Sequence, residues 1–244
     1  MKPTITFILQ NKGGIGKSHI SWLLANYLMK TNDLKVYDND SETPRMITYE
    51  CLNAEHIQLF KLDNNGYVKP ESLNLEKLNI LSQALESGDN ENILVDCGSP
   101  SFQPTLSFFQ ADIMQLYIDT GVKFRIVIPI GKEPVTQTAP AEILAAFGDL
   151  AEYILIENEF FGEFDFDDKI FKKEGVKYAK MKMEPLQSLQ LKAVDLAKEN
   201  NLLLDEAITS PLFNIPHKGR LNQVKYNFES VIDNIITDFN NEEL

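Results

Sequence analysis

The chain has 244 residues, of which 43% are hydrophobic, so its length fits one α/β domain, residues 1–244, with a substantial core. Its formal net charge of −13 argues against nonspecific binding to DNA or to anionic lipids, because an acidic surface repels phosphate groups. It has two cysteines, no run of about 18 uncharged apolar residues and no signal-peptide pattern, which predicts a cytoplasmic protein without disulfides or an integral membrane segment.

Apolar runs of strand length alternate with helical patterns along the chain. The first strand is predicted at residues 4–10, and a helix with one apolar face follows at 17–29. Further strands are predicted at 34–38, 57–62, 92–96, 123–130, 152–157 and 178–184. Further helices are predicted at 70–85, 101–119, 134–147, 188–199 and 221–239, with a loop at 158–175. This alternation predicts an α/β fold with a mostly parallel, twisted sheet and helices on both faces.

A glycine-rich segment, QNKGGIGKSHI at residues 10–20, joins the first strand to the first helix. Such a turn presents backbone N–H groups at a helix N-terminus, where hydrogen bonds and the helix dipole both favour a phosphate. We therefore expect a phosphate-binding loop in which Lys17 contacts the β- and γ-phosphates and the Ser18 hydroxyl binds Mg²⁺. A glycine-rich turn with two solvated lysines is the alternative. The usual loop pattern has glycine where this chain has Asn11, and it does not account for Lys12.

The segment Lys12-Gly-Gly-Ile-Gly-Lys-Ser18 resembles the deviant Walker A motif, K-G-G-x-G-K-[ST], of the MinD/ParA class of P-loop ATPases. In that class the additional lysine reaches across an ATP-sandwiching dimer to the phosphates bound by the partner subunit. The resemblance implies an ATP hydrolase that needs Mg²⁺ and forms a homodimer around ATP, with Lys12 as a catalytic cation supplied in trans beside Lys17. The nucleotide-binding residues it implies are Lys12, Gly13, Gly14, Ile15, Gly16, Lys17, Ser18, His19 and Asn158.

Two further segments resemble the switch regions of this class. The segment Asp38-Asn-Asp40 is similar to the D-x-D-P-Q pattern, which implies that Asp40 positions the attacking water or its metal, although Ser41-Glu42 replace Pro-Gln. Capping of a turn is the alternative role for Asp40. Asp96 ends an apolar strand as in a Walker B motif, which implies a Mg²⁺ ligand acting through water. Residues 97–100, C-G-S-P, resemble the D-C-P-P-S switch turn with a glycine in place of a proline.

Two other polar residues are expected near the nucleotide. Asn158 follows the strand at 152–157, where the class often places an asparagine that reads adenine, and its amide offers both a donor and an acceptor. The backbone N–H of His19 is expected to join the phosphate-binding group. Its imidazole is expected on the surface of the helix.

Four segments resemble more specifically the TraL conjugal transfer proteins of broad-host-range plasmids, a branch of the same class. They are FILQNKGGIGKSHISWLLANYL, VDCGSPSFQPTLSFFQ, IENEFFGEF and SPLFNIPHKGRLNQVKYNFESVI. This resemblance implies a switch that acts with a protein partner in plasmid transfer or in the positioning of plasmids or proteins.

Two other activities occur on this kind of fold. The main alternative is a metabolic ATP-dependent ligase or synthetase of the dethiobiotin or cobyrinate type, although no additional substrate domain is evident. An electron carrier similar to the nitrogenase iron protein would need the thiolates of Cys51 and Cys97 to hold a cluster.

The last predicted helix has an apolar stripe and an acidic polar face. A helix that lies on a membrane usually carries lysine or arginine on that face, so we expect this helix to pack on the core. A possible exception to the argument against DNA binding is a local basic patch formed by His217, Lys218, Arg220 and Lys225.

Overall fold

The computed structural model describes residues 2–31, 33–86, 88 and 91–241, so both ends of the predicted 1–244 domain lie outside the described residues. The strands are β1 Thr4–Ile8, β2 Leu34–Asn39, β3 Glu55–His56, β4 Asn92–Cys97, β5 Lys123–Ile130, β6 Glu152–Asn158 and β7 Lys177–Met183. They form one sheet in the order β3-β2-β4-β1-β5-β6-β7, and each neighbouring pair is parallel. The predicted α/β fold is confirmed, with a parallel sheet throughout.

Helices cover both faces of this sheet. They are α1 Lys17–Leu28, α2 Ile80–Glu86, α3 Phe102–Phe108, α4 Ala111–Asp119, α5 Pro134–Phe147, α6 Ser188–Glu199, α7 Leu204–Thr209 and α8 Ile215–Asn241. Helices α2 to α5 contribute to one hydrophobic core, and α1 with α6 to α8 contribute to a second core. Successive strand residues point to opposite faces, so Ile126 and Ile128 of β5 enter the first core and Val127 enters the second.

Two predicted elements on the chain between β3 and β4 are wrong in extent. Residues 57–62 were expected to be a strand, but β3 is only Glu55–His56. The apolar side chains Ile57, Leu59 and Phe60 are buried in the first core, so the run meets its need for burial without pairing in the sheet. The helix predicted at 70–85 is divided into two 3-10 turns and the short α2, because Asn74 caps the second turn by accepting a hydrogen bond from the Glu76 N–H.

Two further helix predictions differ from the structure, and one helix was not predicted. The helix predicted at 101–119 is two helices, α3 and α4, with the fully buried Phe109 at the break, where its ring lies 5.1 Å from that of Phe7. Helix α7 was not predicted. Helix α8 begins at Ile215, six residues before the predicted start at 221, and Asn214 caps it by accepting the His217 N–H at 2.9 Å. Strand β5 and helices α5 and α6 have the predicted bounds.

Helix α8 packs on the protein as expected. Its apolar residues Leu221, Phe228 and Ile232 are buried in the second core. None of the helices in the described part of the chain has the length and hydropathy that a membrane span requires.

The carboxyl ends of three adjacent strands converge at one edge of the sheet. Strand β4 lies between β1 and β2, and Asp96 of β4 is in register with Ile8 of β1 and with Asp38 of β2. The glycine-rich loop follows β1 directly. Because ligands of parallel α/β sheets bind at the carboxyl ends of strands, this edge is where the candidate site is expected.

Candidate functional site

The glycine-rich loop between β1 and α1 closes into a compact turn. Gly14 and Gly16 have φ angles of 74° and 97°, a left-handed conformation that favours glycine. Gly16 caps the N-terminus of α1, and its carbonyl accepts the Ile20 N–H at 3.0 Å. Residues 12–14 are exposed, so the N–H groups of this turn are accessible to a phosphate.

Lys17 is the buried cation of this loop. Its side chain ends against the loop and the turn after β4, where Nζ donates to the Lys12 carbonyl at 2.8 Å and to Ser99 Oγ at 2.9 Å. Burial lowers the pKa of Lys17, while the carboxylates of Asp96 and Asp40 oppose that change. Lys17 thus links the glycine-rich loop, which was predicted to bind phosphate, to the turn after β4, which was predicted to act as a switch.

Lys12 lies on the outer rim of the same loop. Its side chain is 45% exposed and its Nζ forms an ion pair with Glu133 Oε2 at 3.4 Å, immediately before α5. The two lysines therefore differ in position, since one ammonium faces the interior of the site and the other faces outward.

Asp96 offers a carboxylate oxygen for a metal. Its Oδ1 accepts a hydrogen bond from Ser21 Oγ at 2.8 Å, whereas Oδ2 is buried and has no hydrogen-bond partner among the described residues. Burial raises the pKa of Asp96, and the nearby hydroxyls of Ser21 and Ser18 oppose the rise. A free carboxylate oxygen beside a serine hydroxyl fits Mg²⁺, which prefers hard oxygen ligands and completes its shell with water and phosphate.

Asp40 caps a turn in the structure. Its Oδ1 accepts the N–H groups of Glu42 and Thr43, each at 3.0 Å, which is the alternative role considered from the sequence. It also lies against Gly98, where an added Cβ would stand 2.6 Å from Asp40 Cγ. The absence of a side chain at Gly98 therefore lets the turn after β2 and the turn after β4 touch. A role for Asp40 in positioning water or metal stays a prediction.

Asp38 is a member of this group that the sequence analysis did not assign a role. It is fully buried, and its carboxylate accepts the N–H groups of Asp40 at 3.1 Å and Met46 at 2.6 Å. Burial and the neighbouring Asp96 raise its pKa to about 7. Its position near the end of a buried strand was a usable signal, because a buried carboxylate there needs hydrogen-bond donors such as backbone N–H groups.

Asn158, the last residue of β6, lies against the glycine-rich loop and holds it. The side chain is buried, Nδ2 donates to the Ile15 carbonyl at 2.8 Å, and Oδ1 accepts the Phe160 N–H at 3.2 Å. An adenine-reading role is not tested by these contacts. One further hydrogen on Nδ2 and one further lone pair on Oδ1 remain for a ligand.

A cavity of about 630 Å³ opens beside the loop. Gly14, Gly16 and Asn158 line one end, the turn after β7 lines a side, and α6 and α8 form the remaining wall. This volume is typical of small-molecule sites, and the wall combines apolar side chains with many polar and charged ones. No motif predicted the contribution of α6 and α8.

The imidazole of His19 lies in this cavity wall, so the prediction that it lies on the helix surface was wrong. Its ring stacks on Trp22 with 5.8 Å between ring centroids, and Nδ1 lies 2.7 Å from Lys198 Nζ of α6. Burial and the Lys198 ammonium lower the pKa of His19 to about 3, so the imidazole is neutral. The packing of α6 on this side of α1 is the reason for the burial.

Comparison with known proteins identifies the fold. No protein-family model and no curated protein matches the chain. The chain is similar to the septum site-determining protein MinD of Pyrococcus horikoshii OT3 in complex with Mg-ADP, with 14% identity, a TM-score of 0.52, and coverage of 96% of this chain and 99% of that one. It is also similar to a protein of Borrelia burgdorferi B31 assigned to plasmid partition and bound to AMPPNP, with 17% identity, a TM-score of 0.51, and coverage of 99% and 100%. The fold is that of the MinD/ParA P-loop ATPases.

On this MinD/ParA fold, the two cysteines do not share a site. Cys97 is buried in the first core, whereas Cys51 is partly buried and packs against the second core on the other face of the sheet. This separation does not favour the electron-carrier alternative, because two thiolates of one chain would have to approach a common cluster.

The basic residues at the start of α8 are partly engaged within the protein. Lys225 forms an ion pair with Asp205, and Arg220 Nη1 donates to Gln223 Oε1 at 3.0 Å. The ion pair neutralises one of these basic residues, whereas the bond from Arg220 to a neutral amide leaves its charge in place, so DNA binding by this patch stays a prediction.

Proposed function

We propose that this protein is an Mg²⁺-dependent ATPase switch that dimerises around ATP and acts in conjugative plasmid transfer or in the positioning of plasmids or proteins. The observation that carries the proposal is the contrast between two lysines of one loop. Lys17 is buried and bonded within its own chain, whereas the Lys12 ammonium is on the exposed rim, where a second copy can meet it.

The ATP phosphates would lie on the backbone N–H groups of residues 13–19, with Lys17 at the β- and γ-phosphates. Ser18, Asp96 and Asp40 would hold Mg²⁺. The free Oδ2 of Asp96 supports this assignment. When bound, the metal would neutralise phosphate charge during transfer to water.

Lys12 would leave Glu133 and bind the triphosphate held by the partner subunit. The ion pair that it must leave is exposed on both sides, so its loss costs at most about 1 kcal/mol. A cation supplied in trans by each subunit makes hydrolysis depend on dimerisation, in the same way as an arginine finger. Loss of the γ-phosphate would then release Asp40 and the turn at 97–99, and with them the dimer.

The cellular role is inferred from the sequence segments similar to TraL and from the relatives on the same fold. A conformational switch needs a protein partner to read it, and we propose a partner in a transfer or partition system in the cytoplasm. The net charge of −13 favours a protein partner over direct DNA binding.

The test compares the wild type with Lys12→Ala and with a control variant, Lys69→Ala, which removes an exposed lysine outside the loop. Molar mass by light scattering and ATP turnover are measured with Mg-ATP and with Mg-ADP. We expect an ATP-dependent dimer and turnover in the wild type and the control. Lys12→Ala is expected to remain a monomer, bind ATP, and turn over at least about 10³-fold more slowly.

A monomeric Lys12→Ala variant with wild-type turnover would contradict the proposal. Turnover that requires an added carboxylic acid would instead favour the ligase or synthetase alternative, because that chemistry consumes ATP to activate a carboxylate.

A further inference from the structure

Lys198 of α6 presents a cation in the wall of the cavity. Its Nζ lies 2.7 Å from His19 Nδ1 and 5.3 Å from the centre of the Trp22 ring. Because the His19 imidazole is neutral, its Nδ1 accepts a hydrogen bond and the Lys198 ammonium donates it. The aromatic face of Trp22 further orients the ammonium by a cation–π contact.

This ammonium has no counter-ion within the described part of the chain. None of the ion pairs there includes Lys198, and Asp195, three residues earlier on α6, is exposed and acts on it only at longer range. Burial lowers the pKa of Lys198 to about 8, and the charge of Arg45 contributes to the change. A half-buried ammonium that lacks an anion is costly, and an anionic ligand in the cavity would relieve that cost.

The position of Lys198 indicates which anion it would meet. His19 directly follows Ser18 at the N-terminus of α1, and the cavity that Lys198 lines is also lined by Gly14 and Gly16. Lys17 does not line this cavity, and its Nζ donates to Ser99 Oγ in the turn after β4. A nucleotide on the loop would therefore have its β- and γ-phosphates near Lys17 and its α-phosphate near Lys198.

We propose that Lys198, oriented by His19 and Trp22, binds the α-phosphate of the nucleotide. This inference rests on the proposed function, since it requires a nucleotide on the glycine-rich loop. The α-phosphate is common to ATP, ADP and AMP, so Lys198 serves affinity for all three and does not sense the γ-phosphate. Lys198 is thus distinct from Lys12 and Lys17, whose contacts change when the γ-phosphate leaves.

The experiment measures the affinities of ATP, ADP and AMP, with adenosine as a competitor, for the wild type, Lys198→Met and Lys198→Arg at one fixed salt concentration. The control is Lys192→Met, which removes an exposed lysine of the same helix. We expect Lys198→Met to weaken ATP, ADP and AMP by the same factor, about tenfold, since it removes a hydrogen bond to a charged group. Adenosine affinity should stay within twofold, and Lys198→Arg should recover most of the loss.

Four outcomes would overturn the inference. Three of them are unchanged affinities in Lys198→Met, a loss confined to ATP, and an equal loss of adenosine, which would place Lys198 at the base or ribose. A loss of phosphate-bearing ligands that Lys198→Arg does not recover would also overturn it, because it would reflect packing of the stem and not the charge.

These affinities, taken together with the molar masses from light scattering, separate this inference from the proposed function. If the wild type binds nucleotides with the Lys198 dependence described but forms no ATP-dependent dimer, the switch fails and the α-phosphate contact stands. A wild type that binds no nucleotide overturns both.

Discussion

The two ends of the candidate site are built from different parts of the chain. The phosphate end consists of consecutive main-chain groups of the glycine-rich loop and of side chains at three strand ends, held by hydrogen bonds of 2.8–2.9 Å. The cavity end is walled by side chains from β6, β7, α6 and α8 around about 630 Å³. Backbone geometry fixes the first end, and tertiary packing creates the second. We therefore expect changes at the phosphate end to lower turnover and changes at the cavity end to lower stability or affinity.

The largest expected effect tests whether the cavity wall supports stability without serving catalysis. Phe228 of α8 lines the cavity and is 6% exposed, so Phe228→Ala should lower the free energy of unfolding by about 3–5 kcal/mol. Urea unfolding measures this change. Tyr226→Ala, at a position 73% exposed on the same helix, should change stability by less than about 0.5 kcal/mol. If the Phe228 variant stays folded at 25 °C but its kcat is reduced more than tenfold, the two ends are not independent.

The next effect concerns the phosphate end. Lys17→Met should reduce turnover at saturating ATP by about 10²–10³-fold, because it removes a preorganised cation from the transferring phosphate. Steady-state kinetics measure the loss. The exposed Lys77 provides the control variant, Lys77→Met, for which wild-type rates are expected. A Lys17→Met protein with wild-type kcat would show that the buried ammonium only links the loop to Ser99.

A smaller effect distinguishes the two roles of Asp40. Gly98→Ala would place a Cβ 2.6 Å from Asp40 Cγ and must displace that carboxylate. If Asp40 positions water or metal, turnover should fall about 10- to 100-fold with ATP affinity retained. Turnover and equilibrium ATP binding are measured together.

The control for this change is Gly219→Ala in α8, where no atom of the described residues lies within 4 Å of an added Cβ. That variant should be as active as the wild type and about 0.5–1 kcal/mol more stable, since alanine favours a helix over glycine. If turnover of Gly98→Ala equals that of the control, Asp40 serves only as a turn cap.

The smallest expected effect concerns Asn158, which lies where the phosphate end of the site meets the cavity end. Asn158→Ala removes the hydrogen bond to the Ile15 carbonyl and any contact with a base, and should weaken ATP binding by about fivefold. Competition between ATP and GTP for binding shows whether the hydrogen bond to Ile15 or a contact with adenine accounts for the loss of affinity. If the asparagine reads adenine, the preference for ATP over GTP narrows in the variant, whereas an unchanged preference with weaker binding of both would leave only the loop-holding role.

The difference between the phosphate end and the cavity end also explains which features of the site the sequence could predict. The loop and the strand ends could be predicted because their residues are neighbours in sequence or end apolar runs. Lys17 and Ser18 lie close enough to act on the Asp96 carboxylate, and their roles toward a nucleotide stay predictions. His19 could not be placed, because its environment comes from Lys198, 179 residues away. The apolar run at 57–62 also gave the wrong element, since burial in a core and pairing in a sheet require the same side chains.

The contact between Gly98 and Asp40 has a consequence for chimeras with relatives. In the D-C-P-P-S turn of the MinD/ParA class a proline occupies the place of Gly98, and any Cβ there would collide with the acidic side chain opposite. The loop after β2 and the loop after β4 of this chain therefore form a matched pair, and we expect either one to be transplanted successfully only together with the other.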